Sequence, residues 1–169
     1  MVGRTETEGE NVKRPKGPHY ARELEVRYTT HRSRVAVAVD GKQIITAAAA
    51  AAVVVPMLES QTQEVFLVLH LDAKRRLLGV QEVGRGKLTE VGVSIRAIFT
   101  AVLGERNSNA ILLAHNHPSG DPEPSMADIE LTKAVVEAAR LFEVEVLDHL
   151  IVGHERYVSF RDTGRLYRL

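Results

Sequence analysis

The chain has 169 residues, 44% of them hydrophobic, enough for one domain with its own core and too apolar for a disordered polymer. Lys plus Arg and Asp plus Glu stand at 22 each, so no global field draws the protein to nucleic acid or to an anionic membrane. There is no Cys, which excludes disulfides, thiolate metal sites and cysteine nucleophiles and leaves His, Asp and Glu to bind any metal.

The first residues, MVGRTETEGENVKRPKGP, are polar, and no apolar leader follows. Residues 1–22 are therefore expected to be a flexible tail and 23–169 a single domain in the cytoplasm. LEVRYTTH (24–31) and SRVAVAVDG (33–41) alternate and are rich in β-branched residues, as strands are. IITAAAAAAVVVPMLES (44–60) is too weakly apolar to span a membrane. Its alanines favour a helix, which Pro56 should kink or end. QEVFLVLHLD (63–72) is a nearly unbroken apolar run, expected to be a strand buried on both faces. LLGVQEVGRG (77–86) continues as a second strand ending in glycines. VSIRAIFTAVLGE (93–105) has helical spacing and Gly104 as its stop.

NAILLAHNH (109–117) reads as a further buried strand, and PSGDPEP after it cannot be regular structure. SMADIELTKAVVEAARLFE (125–143) predicts a helix, with Ile129, Leu131, Val135, Ala138, Ala139 and Phe142 as its apolar stripe. VEVLDHLIVG (144–153) and RYVSF (156–160) complete the set as strands. Strands alternating with helices predict an α/β fold, a single layered domain around one sheet.

The chemistry concentrates in LLAHNHPSGDPEPSMAD (112–128). Alternate residues of a strand leave the same face, so His115 and His117 project together at its carboxyl end. Ligands of α/β sheets gather at such ends. The loop reverses the chain, and Asp128 at the start of the next helix can return to the histidines. Two His and one Asp leave a fourth metal position open, the pattern of a catalytic rather than a structural zinc. A plainer arrangement competes with this: Ser125 and Asp128 also have the spacing of a helix capping box. Asn116 points to the opposite face and is expected to hold the loop rather than a metal.

HNHPSGDPEPSMAD resembles the JAMM signature of the JAB/MPN metalloproteases: His, one residue, His-Pro, a loop, then Ser-x-x-Asp. With LDHLIVG downstream it is most similar to the RadC branch, and the likeness runs from about Gln63 to Phe160. The resemblance implies a cytidine deaminase-like JAB/MPN fold with a curved mixed β-sheet flanked by helices. It implies a Zn2+ ion on His115, His117 and Asp128. Glu64 would be the catalytic base and Ser125 would help hold the oxyanion. The substrate would be a peptide or protein, cleaved at a peptide or isopeptide bond. Glu82 and Glu90 compete with Glu64 on position alone.

Two features depart from the family. An HPRE-like stretch is reduced to Ser94-Ile95-Arg96-Ala97, where only the Arg is kept. The tail KRPKGPHYARELEVRY lacks the glycine turns of a helix-hairpin-helix module, which weakens the expectation of DNA as a partner. The family likeness also leaves a second function open, a metal-binding or adaptor module in DNA maintenance without turnover. Metal-dependent phosphodiester cleavage is a third, though such sites often recruit two metals. Asp148 and His149 form an adjacent pair that either orients a ligand histidine from behind or satisfies itself at a strand end, and the second is expected. His154 falls in a turn and His70 on a strand, both as structural or exposed residues, and His19 and His31 carry no indication of a role. VGRGKL (83–88) lacks phosphate-loop spacing and reads as a bend beside the site.

Overall fold

The computed structural model describes residues 41–86 and 93–169, together with the backbone strand β1 (Arg34–Val35). The expected tail, its boundary near residue 22, most of the two N-terminal strands, and His19, His31 and Glu90 lie outside the described residues. Helix α1 (Ala47–Leu58) starts where Thr46 accepts a hydrogen bond from the Ala49 amide at 3.1 Å. Pro56 does not stop it at once. The helix runs two residues further, and the Glu59 amide still reaches the Val55 carbonyl at 2.9 Å.

Strands β2 (Val65–Leu71) and β3 (Leu77–Arg85) form an antiparallel pair. Helix α2 (Ile95–Gly104) follows, and its N-cap is Ser94, whose hydroxyl accepts from the Ala97 amide. Strand β4 (Ala110–Asn116), helix α3 (Met126–Leu141) and strand β5 (Glu145–Val152) make a β-α-β unit. Because β4 and β5 are parallel, their connection needs a long crossover, and α3 provides it. Strand β6 (Tyr157–Ser159) closes the edge, and a short 3-10 turn (Leu166–Arg168) follows. The sheet has six strands in the order β1-β3-β2-β4-β5-β6.

Alternation on the central strands builds two cores. Val65, Leu67, Leu69 and Leu71 of β2 join Leu112 and Ala114 of β4 under Ala50, Ala51, Val54 and Leu58 of α1. Phe66 and Val68 join Ile111 and Leu113 on the other face, beneath Ile98, Phe99 and Val102 of α2 and Val135 and Ala139 of α3. Each fully buried Leu, Ile or Phe contributes roughly 1.5–3 kcal/mol from leaving water. The layered α/β expectation therefore holds, with both faces of β2 buried. The stripe expected on α3 is displaced at its end: Phe142 lies beyond the helix, 46% exposed, with its ring against Phe99.

This topology places the site. In the antiparallel β2–β4 pair, Phe66 lies opposite His115, so the residues just before β2 come beside the end of β4. Glu64 is brought to the histidines by strand direction alone.

Candidate metal centre

His115 near the end of β4 and His117 just past it project to the same side, as their spacing requires. Their Nε2 atoms face each other at 3.0 Å. Asp128, in the first turn of α3, places Oδ1 3.1 Å from His115 Nε2 and Oδ2 3.4 Å from His117 Nε2. Glu64 Oε1 lies 3.9 Å from His117 Nε2. Glu64, His115 and His117 each bring one ligand atom within 4.8 Å of the others, a group that could hold a metal ion.

The donor set fits a small divalent cation. Ligands bound tetrahedrally to zinc at about 2.0–2.1 Å stand about 3.3 Å from one another. The His115–His117 separation of 3.0 Å lies near that spacing, and the Asp128 carboxylate faces the pair with one oxygen to each, Oδ1 3.1 Å from His115 and Oδ2 3.4 Å from His117. Nδ1 of His117 faces the Asp121 carbonyl at 2.8 Å. A carbonyl only accepts, so Nδ1 carries the hydrogen and Nε2 of the neutral ring is a bare lone pair aimed at His115 and Asp128. Lone pairs and a carboxylate converging in this way repel unless a cation lies among them. The same field acts on protons. A proton on His117 Nε2 would be donated to Asp128, and that hydrogen bond lifts the His117 imidazole above the usual histidine range, against burial and with help from the Asp121 carbonyl. Burial pushes the Asp128 carboxyl up, but the hydrogen bonds that His115, His117 and Ser125 can donate to it outweigh burial and hold the group far below the ordinary carboxylate range.

The capping box expected as the plainer arrangement is present as well. Asp128 Oδ2 accepts from the Ser125 amide at 2.7 Å and from its hydroxyl at 2.5 Å, and Ser125 Oγ accepts from the Asp128 amide at 3.2 Å. The two arrangements are compatible, because the box fixes the carboxylate that faces the histidines. Ser125 has a single hydroxyl proton, and it lies on Asp128.

Asn116 points to the opposite face, as expected, and its contacts explain the position of Glu64. Its Oδ1 accepts from the Val65 amide at 2.8 Å, and its Nδ2 donates to the carbonyls of Gln63 at 3.0 Å and Gln61 at 3.3 Å. The Glu64 carbonyl accepts from the Gly86 amide at 2.8 Å. The backbone of Glu64 is thus held on both sides. Gly86 has φ +100°, so the glycine that ends β3 is the bend that delivers this amide. Glu82 is engaged elsewhere, making two hydrogen bonds to Arg85 at 2.9 and 2.8 Å.

The loop before α3 is clamped. The His117 amide bonds Val152 and the His154 amide bonds the Gly120 carbonyl. A Cβ on Gly153 would meet that carbonyl oxygen at 2.3 Å, so only glycine lets the β5–β6 turn come this close. His154 sits in this turn with its ring over Gly120 and does not reach the histidine cluster. His70 is buried on β2, with Nδ1 3.4 Å from Ser108 Oγ.

The expectation for Asp148 and His149 needs correction. They do not satisfy each other through their side chains. Asp148 accepts from the amides of His149 and Arg161 and from the Ser159 hydroxyl, which ties the β5–β6 hairpin together. Burial raises its carboxyl above the usual range, against those hydrogen bonds. The His149 ring turns the other way and meets His115 Nδ1 at 2.9 Å. Thr132 and the Asp121 carbonyl were not singled out from the sequence at all. Thr132 had one visible mark, a polar residue four after Asp128 on the buried side of α3.

A family model for the RadC-like JAB domain matches residues 44–165. The chain is 46% identical over 102 residues to a UPF0758 protein of Chloroflexus aurantiacus, covering 60% of this chain and 44% of that protein. It is 46% identical over 110 residues to one of Herminiimonas arsenicoxydans, covering 65% and 49%. A third, from Thermosynechococcus vestitus, is 43% identical over 130 residues, covering 76% and 52%. The chain spans about half the length of the curated relatives it matches. Among the described residues no helix is long and apolar enough to cross a membrane. With the α/β sheet, the His-x-His-Pro turn and the Ser-x-x-Asp cap in the places that family signature puts them, the chain belongs to the RadC-like JAB domain family.

Proposed function

We propose that this domain is a zinc-dependent hydrolase of peptide or isopeptide bonds. The observation that carries the reading is the convergence of two imidazole Nε2 atoms and one carboxylate at 3.0–3.4 Å, with a second carboxylate, Glu64, at 3.9 Å. His115, His117 and Asp128 would hold the ion. A zinc bound there would supply Lewis acidity and a water whose pKa falls to about 7. Glu64 stands at the rim, 20% exposed, where one face meets the histidines and the other meets solvent. It takes a proton from the attacking water as the carbon–oxygen bond forms, and delivers it to the amine nitrogen as the carbon–nitrogen bond breaks. Its fixed backbone keeps that carboxylate in reach through both transfers. Ser125 secures Asp128, and its hydroxyl can serve a developing oxyanion only by turning away from that carboxylate. The balanced net charge, and the one cluster of candidate ligands among the described residues, both favour an acyl substrate over nucleic acid.

The test uses zinc-loaded wild type and Glu64→Gln, each incubated with a peptide pool, an isopeptide-linked conjugate and single-stranded DNA. Peptide or isopeptide cleavage by wild type, lost in Glu64→Gln while zinc stays bound, supports the reading. Zinc binding with no cleavage of any substrate assigns the domain to a metal-binding or adaptor module instead. Cleavage of DNA alone replaces acyl chemistry with phosphodiester chemistry. Equal cleavage by the variant removes Glu64 as the base.

A further inference from the structure

Behind His115 runs a chain of side chains sealed from solvent. His149 Nε2 lies 2.9 Å from His115 Nδ1, and His149 Nδ1 lies 2.7 Å from Thr132 Oγ1. Thr132 Oγ1 donates to the Asp128 carbonyl at 2.5 Å. His115, Thr132 and His149 have 0% exposure and Asp128 has 2%. Thr132 and His149 are closed to solvent, so the proton positions at their contacts follow from counting.

The Asp128 carbonyl only accepts. Thr132 has one hydroxyl proton, which must go there. Thr132 Oγ1 must then accept from His149, so His149 Nδ1 carries a hydrogen. The His149 ring lies between Phe66 and Phe160, with centroids at 5.5 and 5.0 Å, surroundings that favour the neutral imidazole. A neutral ring has one N–H, so His149 Nε2 accepts and His115 Nδ1 donates. With His115 in the neutral form that a metal ligand requires, its Nε2 is then the lone pair, facing His117 and Asp128. One rotor on α3 therefore sets the state of a histidine on β4 through a histidine on β5.

We propose that Thr132 and His149 are positioning residues: through an ordered hydrogen-bond chain they fix His115 as the Nδ1–H tautomer, with Nε2 presented to a metal, and bind it to the helix that carries Asp128. This rests on the metal reading above and extends it. Outer partners of this kind orient ligand imidazoles, and their loss costs metal affinity.

The experiment has two arms on the full chain. Nitrogen-15 imidazole spectra of the metal-free wild type report the His149 tautomer and need no variant. The expected state is Nδ1–H; a protonated Nε2 with bare Nδ1 overturns the proposal. Zinc affinity is then measured by chelator competition for wild type, Thr132→Val and Thr132→Ser, with urea midpoints of the metal-free proteins as the folding control. Valine keeps the shape of threonine and removes the hydroxyl. It should shift His149 toward the other tautomer and weaken zinc binding about 10–100-fold, while serine restores both. Wild-type affinity in Thr132→Val overturns the proposal and leaves the metal reading intact. Absence of zinc binding by wild type removes the metal reading itself.

Discussion

Replacing Asn116 by Ala tests whether the position of Glu64 depends on one amide side chain. Asn116 is 3% exposed and makes three hydrogen bonds to backbone groups of the segment before β2 and its first residue. Each such bond is worth about 0.5–1.5 kcal/mol net, and a buried donor left unpaired costs about 1–3 kcal/mol. In the variant the Val65 amide is that donor, while the Gln61 and Gln63 carbonyls lie in partly exposed surroundings and can turn to water. The expected loss is about 2–4 kcal/mol, read as the shift in urea unfolding free energy of the metal-free protein. For a domain of this size that corresponds to a fall in Tm of about 5–15 °C. Asn116→Asp sharpens the test. It keeps an acceptor for Val65 but sets a second acceptor against two carbonyls, so it should be no more stable than the Ala variant. Zinc stoichiometry should survive Asn116→Ala, because the side chains of His115, His117 and Asp128 are held by His149, the Asp121 carbonyl and Ser125. A stability change below about 0.5 kcal/mol, or an Asp variant as stable as wild type, would refute the account of how Glu64 is held.

Further outcomes follow from the same geometry. Ser125→Ala removes the cap hydroxyl and should cost about 0.5–2 kcal/mol of stability, with weaker zinc binding as Asp128 loses its tether; equal urea midpoints would contradict the cap. Gly153→Ala forces a Cβ against the Gly120 carbonyl, which is backbone and cannot yield cheaply. It should destabilise by about 1–3 kcal/mol and loosen the loop whose Asp121 carbonyl orients His117. Chelator competition and thermal melts measure both effects, and unchanged values would show the close approach to be unimportant. His117→Ala should abolish stoichiometric zinc in metal analysis of dialysed protein. Full zinc content in that variant would mean the ligands are elsewhere.

Local sequence carried the elements because their causes are local. The nearly unbroken apolar run of residues 65–71 needs burial on both faces, and only a central strand provides that. Thr46, Ser94 and Ser125 each stand at a helix start because a short hydroxyl side chain there accepts from an amide two or three residues on. The His-x-His spacing placed both imidazoles on one face for the same kind of reason. It also placed Asn116 on the other, and the carbonyls and amide there engage it. Pro56, expected to kink or end α1, is followed by only two more helical residues, Met57 and Leu58, which pack against the core and hold the last turn.

What sequence alone determined about this protein was the inventory of groups, the period at which they recur and the strand or helix that bears each one. What only the tertiary structure decided was which of them meet. By position alone Glu64 was one of several acids, singled out only by the family resemblance, and the antiparallel β2–β4 register is what brings it beside the histidines and leaves Glu82 with Arg85. His149 read as half of an Asp-His pair until the parallel β4–β5 pairing turned its ring to His115 and left Asp148 to the hairpin. Neighbouring residues on a strand face opposite sides, so adjacency in sequence separated Asp148 from His149. Hydrogen bonds between strands and helices joined groups 17 and 34 residues apart.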